Sequence, residues 1–389
     1  MKICILTPRF SFPECGGDLL RINNVARHLK KQGHELVLVS YTEGRANMEQ
    51  AKKVFDKIYT IKRSRWNSLF YSALFLLRRL PIQCGYYYSK AYLKLFKEVI
   101  SKEAPDLYVA HLIRMTPFLE QARVCNKSIV EMTDALSKTY TLTGKAKGSQ
   151  LKRFMYSLEK HLIGSYELKV IRRYPKVVLV SAADIDFLSA QLKPEESKSL
   201  ALHTNGVNHA SEISTTYDPN KICFLGNMVS LQNQDAALYF VKEIFPKILE
   251  RKPDARFYIL GNNPPKSIIN LHNGKNVIVT GFISEMEQFI ADACMMVAPI
   301  RIAAGIQNKV LISMANGIPA ILTPLIAVPI PQLVDGDNCF VAGDIPTFVN
   351  RCIQLMDDST LRNSMGRKGY EMVKADYSWD AQLNGYEII

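Results

Sequence analysis

Residues 2–40 read KICILTPRFSFPECGGDLLRINNVARHLKKQGHELVLVS and contain one complete βαβ unit. Residues 2–7 form an apolar run typical of a buried strand, residues 19–32 have the periodicity of a helix that ends at Gly33, and residues 35–40 predict the next strand. Gly16-Gly17-Asp18 predicts the turn and the helix start between them. This order of elements predicts a parallel sheet covered by helices.

The same alternation continues along the chain in two series. The first predicts further strands at residues 57–61, 106–111, 128–132, 176–181 and 199–203. The second predicts strands at 221–226, 255–260, 276–280, 295–298 and 319–322, with helices at 235–249, 285–291 and 308–316. The polar segment 208–220 is typical of a linker. The 389 residues are therefore predicted to form an α/β protein of two doubly wound domains, which bind ligands at the carboxyl ends of their strands.

The composition argues against several classes of protein. Hydrophobic residues make up 48% and charged residues 22%, as in ordinary globular chains. The longest mainly apolar stretch, residues 69–77, is too short to span a bilayer, and the first residues do not resemble a secretory signal. The eight cysteines include no Cys-x-x-Cys pair, so neither zinc nor redox chemistry is indicated. A cytoplasmic protein is expected.

The positive charge is confined to the first half of the chain. Residues 1–210 hold 34 Lys and Arg against 18 Asp and Glu, whereas residues 211–389 hold 15 against 18. Such a field attracts nucleic acid, lipid headgroups or a phosphorylated acceptor, although charge kept for solubility would look the same. No nucleic-acid-binding module is recognisable. We expect an anionic membrane surface as the partner, with shallow insertion of a set of apolar side chains: Trp66, Leu69, Phe70, Leu74 and Phe75.

The strongest local signal is the segment APIRIAAGIQNKVL at residues 298–311, where a predicted strand leads into a helix. Small residues allow close approach of a ligand to the backbone, and Arg301 and Lys309 flank the turn as cations. A diphosphate fits this pattern, and a tight turn with two surface bases is the alternative. The Gly-x-Gly-x-x-Gly fingerprint and the P-loop are both missing from the sequence.

Short motifs along nearly the whole chain resemble the GT-B glycosyltransferases of family 4, in particular a bacterial subgroup of cell-surface polysaccharide sugar transferases. They occur in the family's order: Gly16-Gly17, Gly33-His34-Glu35, Asp106 to His111, Asn205-Gly206-Val207, Gly226-Asn227-Met228, Val279 to Phe282, and Gly305 to Lys309. The resemblance implies two Rossmann-like domains that face each other across a cleft. Their expected bounds are 1–208 on the acceptor side and 209–376 for the nucleotide sugar, with a C-terminal helix at about 377–389 returning to the first domain.

The resemblance also implies roles for individual residues. His111 corresponds to a histidine beside the transferred sugar and is the expected catalytic residue, although a lone histidine on an apolar strand is often a core residue. Gly16 and Asp134 are expected to bind the acceptor. The donor is expected to be bound by Gly17, Asn227, Gly281, Phe282, Ile283, Arg301, Gly305, Ile306, Gln307, Asn308 and Lys309.

The sequence also departs from the family pattern. The family usually has two glutamates eight positions apart, the second on the ribose hydroxyls, and the corresponding residues here are Ala304 and Ile312. A lysine usual in the phosphate-binding region is Gln232. The donor-site charge would then come from Arg301 and Lys309.

These observations predict a metal-independent glycosyltransferase that needs no cofactor. By resemblance it moves a sugar, with retention, from a nucleotide diphosphate to a glycan or lipid-linked acceptor in surface polysaccharide or lipopolysaccharide synthesis, as a peripheral protein of the inner membrane face. The alternative is a degenerate, non-catalytic GT-B partner of another transferase. The two Asp-x-Asp sequences, Asp184-Ile185-Asp186 and Asp335-Gly336-Asp337, are interpreted as a helix start and a surface turn, so no metal site is expected.

Overall fold

The computed structural model describes residues 1–14, 17–42, 47–143, 150–302 and 306–389, with backbone only for residues 142–143 and 150–157. The chain divides into two compact units. Unit 1 comprises Met1–Asn205 together with Gln382–Ile389, and unit 2 comprises Gly206–Ala381. Across the described residues, no helix is both long enough and apolar enough to cross a membrane.

Unit 1 is built around a parallel sheet whose seven described strands have the order β3-β2-β1-β4-β5-β6-β7. The strands are β1 (Lys2–Thr7), β2 (Glu35–Thr42), β3 (Lys57–Lys62), β4 (Leu107–His111), β5 (Ser128–Thr133), β6 (Lys176–Leu179) and β7 (Leu200–Leu202). The helices are α1 (Gly17–Lys31), α2 (Met48–Lys52), α3 (Arg65–Leu77), α4 (Ile82–Tyr87), α5 (Lys90–Glu103), α6 (Thr116–Ala122), α7 (Leu136–Thr143), α8 (Gln150–Arg173) and α9 (Ala182–Ser189).

Helices cover both faces of this sheet, so its central strands are buried on both sides and are continuous apolar runs. In β1, every residue from Ile3 to Leu6 has no exposed surface. The strands predicted from the sequence for this unit are confirmed, with ends that differ by at most two residues. Asp184 lies in the first turn of α9, as expected for the first Asp-x-Asp sequence.

Unit 2 contains a second parallel sheet, with six described strands in the order β10-β9-β8-β11-β12-β13. They are β8 (Asp218–Leu225), β9 (Arg256–Leu260), β10 (Val277–Gly281), β11 (Ala293–Ala298), β12 (Ala320–Leu322) and β13 (Phe340–Val341). The helices are α10 (Leu231–Tyr239), α11 (Phe245–Arg251), α12 (Lys266–Ile269), α13 (Met286–Ile290), α14 (Asn308–Met314), α15 (Pro324–Ala327), α16 (Ile345–Asp357), α17 (Ser359–Asp376) and α18 (Trp379–Gln382). The chain thus forms two parallel α/β sheets, each with its own apolar core.

Two helices differ from the sequence-based predictions. The helix predicted over residues 235–249 is interrupted by a π-helical turn, Phe240–Ile244, between α10 and α11. Pro246 is the second residue of α11, and its missing N–H removes one α-helical hydrogen bond there. The predicted C-terminal helix over 377–389 is wrong in extent, because helix occurs only at Trp379–Gln382. Beyond it, Gly385 has a φ of 67°, which ends a right-handed helix.

The residues after α18 instead bind unit 1 through their main chain. The Lys176 Nζ donates hydrogen bonds to the carbonyl oxygens of Gly385, Tyr386 and Ile388, at 2.8, 3.0 and 3.1 Å. Tyr386 is fully buried. The final segment is therefore an integral part of unit 1.

Candidate functional site

The carboxyl ends of β8, β9 and β10 surround a cavity of about 460 Å³ in unit 2. The order of the sheet reverses between β8 and β11, and such a point is where doubly wound sheets bind ligands. The cavity is lined by Leu225, Gly226, Asn227, Gln232, Asn233, Leu260, Gly261, Asn262, Phe282, Ile283, Met286, Ile306, Gln307, Asn308, Lys309 and Ile312. The structure therefore brings together most of the predicted donor-binding residues.

Amide side chains fix the position of the loop after β8 and of Lys309. Asn233 Nδ2 donates to the carbonyl oxygen of Asn227 at 2.8 Å, while Asn233 Oδ1 accepts a hydrogen bond from Lys309 Nζ. The Asn227 side chain in turn accepts the N–H of Val229 at 3.1 Å. Asn233 thus connects Lys309 to the main chain at the cavity wall.

Lys309 supplies the positive charge of this cavity. The residue is 9% exposed, and its ammonium lies 5.2 Å from the centre of the Phe224 ring. Burial lowers the pKa of Lys309 to about 8. Among the described lining residues there is no Asp, Glu or His. A buried cation with no carboxylate partner among the described residues favours an anionic ligand, because the ligand's charge would compensate the desolvation of the ammonium.

Two glycines allow the backbones of the lining loops to touch. Gly261 has a φ of 150°, and a Cβ on it would lie 1.7 Å from the carbonyl oxygen of Gly226. A Cβ on Gly226 would lie 2.7 Å from the Asn233 side chain. Gly281, at the end of β10, has a φ of 70° and turns the chain towards Phe282. At Gly261 the cavity wall is consequently closely packed main chain that leaves no room for a larger residue.

Apolar side chains form another part of the cavity lining. Phe282 is 71% exposed and Ile306 39%, and Ile283 and Ile312 also line the cavity. A flat exposed ring beside a polar cavity is a suitable stacking surface for a nucleotide base. Gln307 and Asn308 lie at the start of α14.

Arg301 does not line the cavity. Its guanidinium forms a bidentate ion pair with Asp235, at 2.6 and 3.1 Å, and lies over the Tyr239 ring. Gly305 lies outside the described residues. Sequence reasoning did not select Asn233, Asn262 or Met286, since isolated amides and a methionine carry no recognisable motif.

The carboxyl edge of the unit 1 sheet holds the second group of predicted residues. His111 ends β4 and has no exposed surface, and neither ring nitrogen has a hydrogen-bond partner within the described part of the chain. Burial lowers its pKa to about 3, more than the negative charge of Asp18 raises it. The imidazole is therefore neutral, and its two nitrogens are unsatisfied within the described residues.

A buried ion pair lies next to His111. Glu131 of β5 is its register partner, and Arg21 of α1 binds both Glu131 carboxylate oxygens, at 2.8 and 3.2 Å. Arg21 also donates to Asn205 Oδ1 and to the Thr204 carbonyl oxygen, at 3.0 and 3.1 Å. Sequence reasoning missed this network. The position of Arg21, four residues before Val25 on the buried face of α1, was the available signal.

Other predicted residues of unit 1 lie along the same edge. Gly17 starts α1 and is exposed, and Asp18 beside it forms an ion pair with Arg9. Asp134 follows β5 at the surface, and its pKa is raised by desolvation and by the charge of Asp184. Gly16 lies outside the described residues.

Backbone strain marks the ends of two adjacent strands. Leu112, directly after His111, has a φ of 70°, and Thr133, at the end of β5, has a φ of 71°. Positive φ is unfavourable for such residues and occurs preferentially at functional sites.

The second Asp-x-Asp sequence lies in a turn with Gly336 at a φ of 80°. Across the ranges that the structure describes, there is no group of three or more His, Cys, Asp or Glu suited to a metal ion.

Residues 219–358, which form most of unit 2, match the family model described as glycosyl transferases group 1. The whole chain is similar to a solved structure of TarM, with 13% identity, a TM-score of 0.65, and coverage of 99% of this chain and 97% of that one. The chain has the GT-B fold. A second GT-B structure, HepE of Anabaena in complex with UDP, gives 12% identity, a TM-score of 0.61, and 98% and 97% coverage.

A third GT-B structure is WaaG, a glycosyltransferase involved in lipopolysaccharide biosynthesis. It gives 14% identity, a TM-score of 0.58, and coverage of 100% and 99%. A comparison with curated protein sequences gave no match. The family model thus matches a segment of unit 2, and the solved structures share their fold with the whole chain.

Proposed function

We propose that the protein is a metal-independent hexosyltransferase that binds a nucleotide diphosphate sugar in the cavity of unit 2. The observation that carries the proposal is the buried Lys309 in a cavity with no acidic residue among its described lining, within the segment that matches the glycosyl transferase family model. The chemistry of this cavity suits a diphosphate. The HepE structure contains UDP, so a nucleotide of this class is the first ligand to test.

In the proposed reaction, the bond between the anomeric carbon and the diphosphate oxygen breaks, and its electron pair stays on the departing nucleotide. An acceptor hydroxyl oxygen forms the new bond to the anomeric carbon, and its proton passes to the departing diphosphate. Lys309 stabilises the negative charge that develops there. Phe282 stacks on the base, while Asn227, Gln307 and Asn308 supply hydrogen bonds. The product is a nucleoside diphosphate that Lys309 still binds.

The proposed acceptor is a glycan or a lipid-linked sugar of bacterial surface polysaccharide or lipopolysaccharide. The transferred sugar is proposed to keep its configuration at the anomeric carbon. The proposed acceptor site is the carboxyl edge of the unit 1 sheet, where Asp134 lies. His111 is the proposed catalytic residue there. Its two unsatisfied ring nitrogens support a role in hydrogen bonding to the transferred sugar, and its low pKa favours a neutral imidazole in that role.

A non-catalytic GT-B protein is the second candidate. It is favoured by two observations: His111 has no exposed surface, and Ile312 presents an apolar side chain to the cavity where the family pattern has a glutamate. Such a protein would bind a nucleotide without transferring the sugar.

The test begins with isothermal titration calorimetry against UDP, GDP, ADP, CMP and their sugars. We expect one diphosphate to bind, and Lys309→Ala to weaken it by about 5- to 150-fold, the range for a charge-assisted hydrogen bond. Lys266→Ala removes an exposed lysine of the same unit and is the matched control. Failure of all nucleotides to bind, or equal weakening by both variants, contradicts the proposed donor site.

A measurement of turnover distinguishes the proposed transferase from the non-catalytic GT-B protein. The enzyme should release the nucleoside diphosphate from the bound sugar nucleotide when lipid-linked glycans are added. His111→Ala should lower that release about 100-fold or more while binding is kept. Nucleotide binding without release under any acceptor condition supports the non-catalytic candidate.

A further inference from the structure

Helix α3 is apolar on two opposite faces. Its inner face contributes Tyr71 and Phe75 to the core of unit 1, where they are 9% and 6% exposed. Its outer face presents a second apolar set to the solvent: Trp66 at 82%, Leu69 at 62%, Phe70 at 64% and Leu77 at 82% exposed. A helix that is apolar all round is normally buried in a core or a membrane.

The exposed side chains form one continuous stripe. Positions 66, 69, 70, 73 and 77 follow each other at intervals of three and four residues, which places them on a single face of a helix. Ala73, the fifth position, is exposed as well. A contiguous apolar surface that contains a tryptophan marks a site of interaction, whereas single exposed apolar residues do not. We name these five residues the α3 stripe.

Positive charge surrounds the α3 stripe. Residues 57–97 contain nine Lys and Arg and no Asp or Glu. Arg65 begins α3, and Arg78 and Arg79 follow its last residue, so exposed cations lie at both ends of the stripe. The apolar surface thus ends in cations on both sides, as in helices that lie in the headgroup region of a bilayer.

The basic surface continues onto α5. A cavity of about 390 Å³ is lined by Phe70, Leu74 and Arg78 of this region and also by Tyr88 and Lys90. The latter two line a second cavity, of about 790 Å³, with Lys94, Lys97 and Lys102; Glu98 is the acidic residue in its lining. The α3 stripe and the basic face of α5 are therefore contiguous.

We propose that the α3 stripe lies in the headgroup region of an acidic lipid bilayer, with its apolar side chains inserted and the neighbouring Arg and Lys at the lipid phosphates. The positive charge around the α3 stripe favours an acidic bilayer over a second copy of the chain. A second copy of the chain would oppose two surfaces of the same positive charge, whereas an acidic bilayer neutralises them. The proposal does not depend on the transfer reaction, because it uses no residue of the unit 2 cavity.

The structure changes which side chains insert. Leu74 and Phe75 belonged to the inserting set expected from the sequence. Phe75 is buried and Leu74 is only partly exposed, so the structure removes both from that set. Leu77 replaces them, with 82% of its surface exposed. Arg63 lies over the Tyr86 and Tyr87 rings, at 4.4 and 5.0 Å, and is left out of the charge variants for that reason.

The experiment is co-sedimentation of the full chain with vesicles of phosphatidylcholine alone or with 30% phosphatidylglycerol added. We expect binding only to the acidic vesicles, and release by salt because the attraction is screened. The pair Arg65→Gln and Arg78→Gln should lower the partition coefficient about 25-fold, roughly five-fold for each charge. The four changes Trp66→Ser, Leu69→Ser, Phe70→Ser and Leu77→Ser should lower it at least ~100-fold.

Matched controls come from unit 2. Val328→Ser changes an apolar residue that is 80% exposed, and Lys242→Gln with Lys247→Gln removes two exposed charges. These controls should bind vesicles like the wild type. All variants should keep the melting temperature, since every changed side chain is exposed, and should keep nucleotide affinity.

Trp66 provides a direct readout of insertion. Its fluorescence should shift to shorter wavelength on acidic vesicles, and Trp66→Phe should lose that shift while it still sediments. Wild-type protein that ignores acidic vesicles at low salt overturns the proposal. It is also overturned if the four-serine variant binds like the wild type, or if sedimentation velocity shows a dimer that this variant dissolves and vesicles are not bound.

Discussion

The affinity for the donor nucleotide should depend on pH through Lys309. Burial lowers the pKa of this ammonium to about 8, and a bound diphosphate would raise it again because the anion favours the charged form. In the free protein, about nine-tenths of Lys309 is protonated at pH 7 and about one-tenth at pH 9. Affinity should therefore fall about ten-fold between these two values, with full binding below pH 8 and loss above it.

Calorimetry in buffers of different ionisation enthalpy measures both effects. Near pH 8.5 the binding should take up a proton, and the apparent enthalpy should change with the buffer. Lys309→Arg should remove the pH dependence, because a guanidinium stays charged, and Lys309→Gln should give weak, pH-independent binding. Arg301→Ala should leave the profile unchanged, since Arg301 is paired with Asp235 outside the cavity. A wild-type affinity that is flat from pH 7 to 9, or a drop that persists in Lys309→Arg, refutes this reasoning.

Three further predictions concern unit 1. His111→Ala should keep donor affinity and a near-normal melting temperature but lower turnover, measured as nucleotide release, about 100-fold or more. A large decrease of the melting temperature would instead show that His111 has a structural role in the core. Burial raises the pKa of Glu167 to about 7, so this carboxyl binds a proton more tightly in the folded chain than in the unfolded chain. The free energy of unfolding should therefore decrease as the pH rises from about 4.5 to 7. Glu167→Gln should remove that slope in urea unfolding and be more stable than the wild type at pH 8; an unchanged slope contradicts the assignment. Arg21→Ala leaves Glu131 buried and unpaired and should cost about 3–5 kcal/mol of unfolding free energy, whereas a loss below about 1 kcal/mol would mean that water replaces the guanidinium.

The alternation of strands and helices predicted the parallel sheets because β1 and its neighbours are buried on both faces and cannot be confused with loops. The sequence was less informative about the helices of residues 65–103. In α3 the apolar residues recur on two faces, so periodicity alone does not identify the face that packs against the sheet. The exposed positions of Trp66 and Leu77 became visible only with the fold.

The candidate site shows a similar limit. Arg301 and Lys309 look equivalent in the sequence, as two cations on either side of a turn. What distinguishes them lies far away along the chain: Asp235 binds Arg301 and Asn233 binds Lys309. Partners 66 and 76 residues distant belong to no local motif. The same applies to Arg21, whose carboxylate partner is 110 residues away.

The last eight residues of the chain have a consequence for the order of synthesis. Lys176 binds the carbonyls of Gly385, Tyr386 and Ile388, so unit 1 receives this part of its structure only after all of unit 2 has been translated. During translation, the ammonium of Lys176 therefore lacks these three carbonyl acceptors until residues 206–381 have been synthesised. Unit 2 is continuous in the chain and can be completed first, although it begins more than two hundred residues later.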